Sequence, residues 1–120
     1  MYVGNSDDKE RIPQHNYGTE NTVLRVLIDR DDGAQKFAMR IISVEPGGHI
    51  GLHNHPYEHE IFVLNGEGEV RTDKNTAELR PGRFCWIPPD EPHSFYNTGD
   101  VTLDFICCIP KRPGMENTGS

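Results

Sequence analysis

Short apolar segments alternate with turn-forming residues along most of the chain. Clusters of Gly, Pro, Asn and Asp, such as Asn65-Gly66 and Pro88-Pro89-Asp90, recur at close intervals and favour turns. No interval between them suits a long helix, so the pattern predicts an all-β sandwich or barrel. The predicted strands are rich in β-branched and aromatic residues: Thr22 to Ile28, Phe37 to Val44, Glu60 to Leu64, Glu67 to Thr72, Phe84 to Ile87 and Val101 to Ile109.

The two ends of the chain differ from this middle region. Residues 1–20 and 111–120 are polar, contain Gly, Pro, Asn and Ser, and show no apolar periodicity. We therefore predict one β-barrel domain over residues 21–110, between a polar, loose N-terminal arm and a polar C-terminal tail. A chain of 120 residues has room for a single core, which argues against a second domain.

One predicted strand is apolar on both faces. In Ile61-Phe62-Val63-Leu64 both alternation phases carry apolar side chains, so neither face expects water. One face would fill the barrel, and the other needs a cover. The flank of the second sheet, the N-terminal segment or a partner subunit could supply that cover, and we favour a homodimer.

Composition narrows the choice of partners and location. The formal net charge is -7, and an acidic surface repels a phosphate backbone, which argues against nucleic acid. No apolar run is long enough to span a bilayer, and the polar first residues do not resemble a signal peptide, so we expect no membrane partner and a cytoplasmic location. The three cysteines, Cys85, Cys107 and Cys108, indicate reduced thiols rather than disulfides.

Four histidines occur at a spacing suited to chelation. His53 and His55 are two residues apart and share one face of an extended strand. Pro56 keeps His55 extended, and the chain can then turn before His59 opens the next apolar strand. His93 follows a Pro-rich turn and begins another strand, which a folded-back sheet can place beside the first. The spacing therefore predicts that the four imidazoles converge.

Converging neutral imidazoles indicate one divalent transition metal, because the imidazole nitrogen is a good donor near neutral pH. The alternative, histidines in polar loops or satisfied within the core, requires this spacing to be a coincidence. Nitrogen ligands do not select one metal, so Mn, Fe, Ni and Zn all remain open.

The sequence around the histidine pair resembles the first motif of the cupins. That motif begins with a glycine, which five residues separate from a His-x-His pair. Three or four residues separate the pair from a glutamate, and six more residues separate the glutamate from a second glycine. Gly47, His53, His55 and Gly66 match it, and His59 stands where the family usually has the glutamate. The sequence is therefore most similar to small single-domain cupins with a four-histidine metal site.

Glu60 is the alternative to His59 as the third ligand. It offers the four-residue gap that the motif also allows, but only five residues then separate it from Gly66. It also has the opposite strand parity to His59. We favour His59.

The second cupin motif is similar to the segment around His93. Gly82, Pro88, His93 and Asn97 match its fixed positions, while Asp90 replaces its middle glycine. Asp tolerates the turn conformation that this position requires. The two motifs together cover about half of the chain, from Gly47 to Asn97.

The resemblance implies a cupin-type jelly-roll β-barrel of two antiparallel sheets, often dimeric, with the metal near its middle and a pocket above it. Strand parity and the family pattern suggest that apolar side chains line the pocket. The predicted lining residues are Met39, Ile41, Phe95, Phe105 and Cys107. Residues expected to orient the ligand rings are Glu58, Glu60, Glu91 and Asn97.

Two classes of function fit such a site. The first is a metal-dependent enzyme, a dioxygenase-like oxidoreductase or an isomerase or lyase, acting on a small oxygen-bearing or aromatic substrate. The second is a non-catalytic cupin that binds or senses a small molecule. A metal-free cupin resembling sugar epimerases is a weaker third option, since four converging histidines argue against it. No residue is an obvious general base, and the candidates are Glu60, Tyr57 and Cys107.

Overall fold

One long strand joins the two layers of the protein. The computed structural model describes residues 1–110, and the predicted C-terminal tail, residues 111–120, lies outside the described residues. The strands are β1 (Ile12–Pro13), β2 (Glu20–Ile28), β3 (Phe37–His53), β4 (His59–Asn65), β5 (Gly68–Thr72), β6 (Thr76–Leu79), β7 (Phe84–Ile87), β8 (His93–Asn97) and β9 (Leu103–Pro110). Within residues 1–110, no helix is long and apolar enough to cross a membrane.

Strand β3 takes part in both layers because it changes partners halfway. Its first part pairs with β2 on one side and β9 on the other, and its last part pairs with β8. From β9 the sheet continues to β4 and β7, and from β8 it continues to β5 and β6. Every pairing is antiparallel. The predicted all-β jelly-roll barrel is confirmed.

The change of partner falls at Pro46-Gly47-Gly48. Gly47 has a φ of 79°, a left-handed conformation that glycine adopts without steric cost. A Cβ on Gly48 would lie 2.8 Å from the backbone oxygen of Asn21, so the neighbouring strand approaches too closely for any side chain there. These two glycines let β3 leave one layer and enter the other.

The core lies between the two layers and follows the alternation of the strands. In β9 the side chains of Leu103, Phe105, Cys107 and Ile109 are buried, and the residues between them are partly exposed. These side chains pack against inward residues of the other strands in one apolar cluster. Burying one such side chain contributes about 1.5 to 3 kcal/mol, so the cluster holds the two layers together.

Strand β4 carries apolar residues on both faces, as its sequence predicts. Ile61 and Val63 are buried in the core, whereas Phe62 points outward and is 45% exposed. Phe62 is paired with Phe84 of β7 on one side and with Ile106 of β9 on the other. The outer face of this layer therefore presents an apolar surface on the described chain, with Leu64 and Trp86 beside it.

The N-terminal segment lies along the barrel rather than extending from it as the expected loose arm. Ile12 and Pro13 of β1 pair with β2. Arg25 on β2 is buried; it donates a hydrogen bond to the carbonyl oxygen of Ser6 at 3.3 Å and lies 3.6 Å from the carboxylate of Asp7. A buried guanidinium needs such acceptors, so these contacts tie the segment to the barrel.

Candidate metal centre

Three histidines bring their ring nitrogens together inside the barrel. His53 ends β3 and is paired across the sheet with His93, the first residue of β8. His55 lies in the connection that follows β3. The potential ligand nitrogens of His53, His55 and His93 lie within 4.8 Å of one another, a separation that a single metal ion can bridge.

Each of these three rings is oriented by a hydrogen bond from its Nδ1 atom. The acceptor is in every case the backbone carbonyl of a residue two positions away. The acceptors are Gly51 for His53 at 2.7 Å, Tyr57 for His55 at 2.8 Å and Glu91 for His93 at 2.8 Å. A carbonyl oxygen can only accept, so Nδ1 carries the proton in a neutral ring and Nε2 keeps a free lone pair.

These lone pairs fit a divalent transition metal. The Nε2 atoms of His53 and His93 are buried and have no hydrogen-bond partner among the described residues. A buried polar atom without a partner costs about 1 to 3 kcal/mol, and native structures seldom leave one unexplained. A cation held by nitrogen donors satisfies both atoms, and imidazole is a preferred ligand of such metals.

His59 lies next to this group at the start of β4 and is fully buried. Its Nε2 atom is 2.5 Å from Nε2 of His55, and its ring centre is 5.0 Å from that of His93. Glu60, the alternative third ligand, is exposed on the outer face, where it is paired with Trp86. The structure therefore brings His59 to the three-histidine group and leaves Glu60 outside the barrel.

Burial keeps the site histidines neutral. Desolvation lowers the pKa of His53 and of His55 below the usual 6.5, and it lowers the pKa of His93 to about 4. The pKa of His59 falls far below its ordinary range for the same reason, with the neighbouring histidines adding to the effect. Neutral imidazoles are the form that binds metal.

Two tyrosines stack on rings of the histidine group. The ring of Tyr57 lies parallel to His55 with centres 4.0 Å apart, and that of Tyr17 lies parallel to His53 at 4.5 Å. Tyr57, predicted as a catalytic candidate, thus touches the site through a ring face. Tyr17 was not predicted, because it lies in the polar N-terminal segment, where no apolar or motif signal marks it.

Gly51 makes room for Tyr17. A Cβ on Gly51 would lie 1.6 Å from the backbone oxygen of Tyr17, an overlap that no side chain tolerates. Tyr17 itself has a φ of 60°, which is uncommon for a residue with a side chain. The backbone amide of Gly51 also donates to Oγ1 of Thr19 at 3.1 Å. Together these contacts hold the N-terminal segment against the histidine group.

The predicted pocket residues divide between the two faces of the barrel. The ring of Phe95 lies 5.8 Å from His93 and 5.1 Å from Phe105, so both line the interior beside the site. Met39 and Ile41 face outward instead: they are paired with Cys108 and Ile106 on the outer face. The assumed phase of β3 was reversed, as the inward position of its neighbour Arg40 shows.

Arg40 is fully buried and donates a hydrogen bond from Nη2 to Sγ of Cys107 at 3.1 Å. Cys107 is also fully buried, and its sulfur lies 2.9 Å from Nδ1 of His59. The sulfur thus contacts Nδ1 of His59, whereas the other ring nitrogen, Nε2, is the one near His55. Cys107 therefore contacts the histidine group through His59, and its role as a pocket-lining residue stays a prediction.

The acidic residues near the motifs do not reach the ligand rings with their carboxylates. Glu58 accepts a hydrogen bond from Trp86 Nε1 at 2.8 Å. Glu91 serves His93 with its backbone carbonyl alone. Asn97 donates to the carbonyl oxygens of Val44 and Val101, each at 2.8 Å, and so braces the strands rather than the metal site.

Comparison with known proteins agrees with this architecture. The family model of the cupin domain matches residues 40–109, and the chain belongs to that family. The matched region runs from Arg40 to Ile109 and includes the four histidines described above.

Three similar proteins give context for the site. The structure of the polyketide cyclase RemF from Streptomyces resistomycificus has a TM-score of 0.87 and 32% identity, covering 100% of this chain and 87% of RemF. An oxalate-binding protein from Thermotoga maritima is 31% identical over 104 residues, 83% of this chain and 84% of that protein. Polyketide synthase CurC from Streptomyces cyaneus is 39% identical over 96 residues, 78% of this chain but only 60% of CurC.

Proposed function

We propose that this chain is a metal-dependent cupin enzyme in which His53, His55, His59 and His93 bind one divalent transition metal. One observation carries the proposal. Three ring Nδ1 atoms donate to backbone carbonyls, so three Nε2 lone pairs are directed to one region of the interior. Mn, Fe, Ni and Zn all suit this donor set.

His59 is proposed as the fourth ligand because its Nε2 atom already lies 2.5 Å from that of His55. Two nitrogen lone pairs this close repel one another unless a proton or a cation lies between them. His55 cannot supply the proton from Nε2, since its Nδ1 donates to the carbonyl of Tyr57 and burial keeps the ring neutral. If Nδ1 of His59 carries the proton of that ring, no proton lies between the two Nε2 atoms, and we infer a shared cation.

We propose a substrate that presents two neighbouring oxygen atoms, such as a β-dicarbonyl compound. Four neutral imidazoles leave the charge of a bound metal uncompensated, which favours an anionic or enolisable oxygen ligand. When bound, the metal would act as a Lewis acid on a carbonyl oxygen. The similarity to RemF and CurC, described as a polyketide cyclase and a polyketide synthase, supports an enolisable polyketone as the substrate class.

The chain's own residues would hold the metal and keep water away from the reacting groups. His53 and His55 are each covered on one face by a tyrosine ring, and Phe95 beside His93 is fully buried. Apolar surroundings strengthen the electrostatic effect of a bound cation. A redox-neutral cyclisation or isomerisation fits this arrangement, and we place it ahead of the dioxygenase chemistry also considered from the sequence.

A non-catalytic binding protein is the second candidate, favoured by the similarity to an oxalate-binding protein. Oxalate, like a β-dicarbonyl, can chelate a metal through two oxygen atoms, although its chelate ring has five members and that of a β-dicarbonyl has six. The two candidates therefore differ in turnover and not in the chemistry of recognition.

One set of assays tests the enzyme and separates it from the binder. Protein loaded in turn with Mn, Fe, Ni and Zn is mixed with a linear β-triketone, and cyclised product is sought by mass spectrometry while oxygen uptake is recorded. Oxalate binding is measured by calorimetry. Product without oxygen uptake is the expected result. Oxygen consumption would instead support dioxygenase activity. Oxalate binding without turnover of any β-ketone would support the non-catalytic binding protein.

We also propose a homodimer formed through the outer apolar surface of β4 and β7. Phe62 and Phe84 are paired across these strands and are 45% and 82% exposed. Monomeric proteins seldom leave such aromatic surface uncovered. A cytoplasmic location and the lack of nucleic-acid or membrane partners stay predictions from the sequence, which cell fractionation can test.

A further inference from the structure

We propose that Cys107 is a positioning residue of the metal centre: its sulfur accepts a hydrogen bond from Nδ1 of His59 and so directs the Nε2 lone pair of His59 towards the metal. The inference rests on the proposed function, because it assigns a role within the same site. Cys107 contributes no ligand atom in this proposal, since its sulfur contacts Nδ1 of His59 and is not part of the converging group of His53, His55 and His93.

His59 differs from the other three histidines in what holds its ring. The rings of His53, His55 and His93 are each fixed by a carbonyl two residues away along the chain. No such local carbonyl bond is found for His59 among the described contacts. Its Nδ1 atom instead lies 2.9 Å from Sγ of Cys107, on β9. The orientation of this ring therefore depends on contact between two different strands.

The pairing of β4 with β9 sets that contact. Ile61 is the register partner of Cys107, and His59 precedes Ile61 by two residues on the same face of β4. Both side chains are thus directed into the interior, one next to the other. A slip of one residue would turn either of them to the outer face.

Arg40 occupies one lone pair of the sulfur. Its guanidinium donates from Nη2 to Sγ at 3.1 Å, and a guanidinium has no lone pair with which to accept. The second lone pair of the sulfur remains to accept from Nδ1 of His59, which lies 2.9 Å away. Both Arg40 and Cys107 are fully buried, so water does not compete for these bonds.

The opposite arrangement would be incompatible with four ligands. If the thiol donated its proton to Nδ1, the neutral His59 ring would carry its proton on Nε2 and direct it at Nε2 of His55, 2.5 Å away. That bond would occupy both nitrogens and leave two histidines for the metal. The role of the sulfur therefore decides whether His59 binds metal.

The tautomer of His59 can be measured directly in the metal-free protein. Long-range proton–nitrogen NMR of the uniformly labelled chain distinguishes a protonated from an unprotonated ring nitrogen. We expect Nδ1 of His59 to be protonated and Nε2 to be unprotonated. A protonated Nε2 would overturn the inference, whether or not the protein binds metal.

Metal affinity tests the consequence, with Co²⁺ alone as the probe. The variants are Cys107→Ala, which removes the acceptor, Cys107→Ser, which keeps one, and Cys85→Ala as a control. Cys85 is a free, half-buried cysteine packed on the same core. Loss of a residue that orients a ligand weakens binding about tenfold to a hundredfold. We expect that loss for Cys107→Ala, recovery of most of the affinity for Cys107→Ser and no change for Cys85→Ala.

The outcomes separate this inference from the proposed function. Equal Co²⁺ affinity of Cys107→Ala and Cys85→Ala, with His53→Ala unable to bind, would overturn the role of Cys107 and leave the metal centre intact. Should His53→Ala bind Co²⁺ as tightly as the unmodified protein, the metal centre itself would be wrong. If Cys107→Ala fails to fold, two tests of the role of Cys107 remain. One is the Co²⁺ affinity of Cys107→Ser relative to that of Cys85→Ala, and the other is the NMR measurement of the His59 tautomer.

Discussion

The two faces of β4 carry similar numbers of apolar residues but serve different ends. The inner face places His59, Ile61 and Val63 in the buried interior, whereas the outer face presents Glu60 and Phe62 at the surface. Inside, Ile61 and Val63 pack in the core of their own chain, and His59 contacts the other site histidines. On the outer face, Phe62 and Leu64 are equally apolar, but no described residue covers them fully. An apolar strand residue thus indicates burial, but not what buries it.

The largest expected effect is on the inner face, at the metal centre. His53→Ala should remove stoichiometric metal while the barrel stays folded, because this residue lies outside the apolar core cluster. Metal content by elemental analysis and far-ultraviolet circular dichroism provide the test. His49→Ala is the matched control, since His49 lies on the same strand but stacks on Tyr96 away from the site. Full metal content in His53→Ala would contradict the assignment.

Neighbouring substitutions in β4 compare the two faces directly. Ile61→Ala should lower the free energy of unfolding by about 2 to 5 kcal/mol, because it leaves a cavity in a packed core. Phe62→Ala should cost far less in a dilute, monomeric sample, since Phe62 is 45% exposed. Urea unfolding of metal-free protein at low concentration measures both. Equal losses would mean that the two faces are equally buried within one chain.

The outer face should determine self-association. Phe62→Lys places a charge among apolar groups at the proposed dimer surface, and we expect the dissociation constant to rise at least about tenfold, or ~1.4 kcal/mol. Sedimentation velocity over a range of concentrations gives the constant. Thr76→Lys, an exposed change on β6 in the other layer, is the control. A monomer at all concentrations for the unmodified protein would remove the basis of this prediction.

The smallest expected effect concerns the cover that the N-terminal segment gives the site. Tyr17→Ala removes a ring stacked on His53, and such a contact is worth about 0.5 to 1.5 kcal/mol. Metal affinity should therefore fall about twofold to tenfold, without loss of metal stoichiometry. Calorimetric titration with Zn²⁺ measures the change. An affinity equal to that of the unmodified protein would show that Tyr17 does not support the ring.

The histidine group was accessible to sequence reasoning because its signal is local. His53, His55 and His93 lie in short segments whose spacing carries the prediction. Strand parity and the six-residue gap to Gly66 both favoured His59 over Glu60, which the structure places outside. Strand β6 was not predicted, because Thr76, Ala77 and Glu78 are all exposed and show no apolar alternation. The sequence of β6 therefore contains no strand pattern that could have been recognised.

The phase of β3 was misread for a physical reason. Both phases of the segment from Phe37 to Ile42 contain apolar side chains, and the one charged residue, Arg40, would normally mark the outer face. Arg40 is instead fully buried against Cys107, a contact between residues far apart in the chain. Met39 and Ile41 were therefore assigned to the interior. Tyr17 escaped prediction similarly, since its partner His53 is distant in sequence.

The coordination of the bound metal tests the central claim most directly. X-ray absorption at the zinc edge, on protein loaded with one equivalent of Zn²⁺, counts imidazole ligands through their ring scattering and gives a Zn–N distance of about 2.0 to 2.1 Å for such ligands. We predict four imidazoles in the unmodified protein and three in His59→Ala. Two or fewer imidazoles in the unmodified protein, or a metal held mainly by oxygen, would contradict the account.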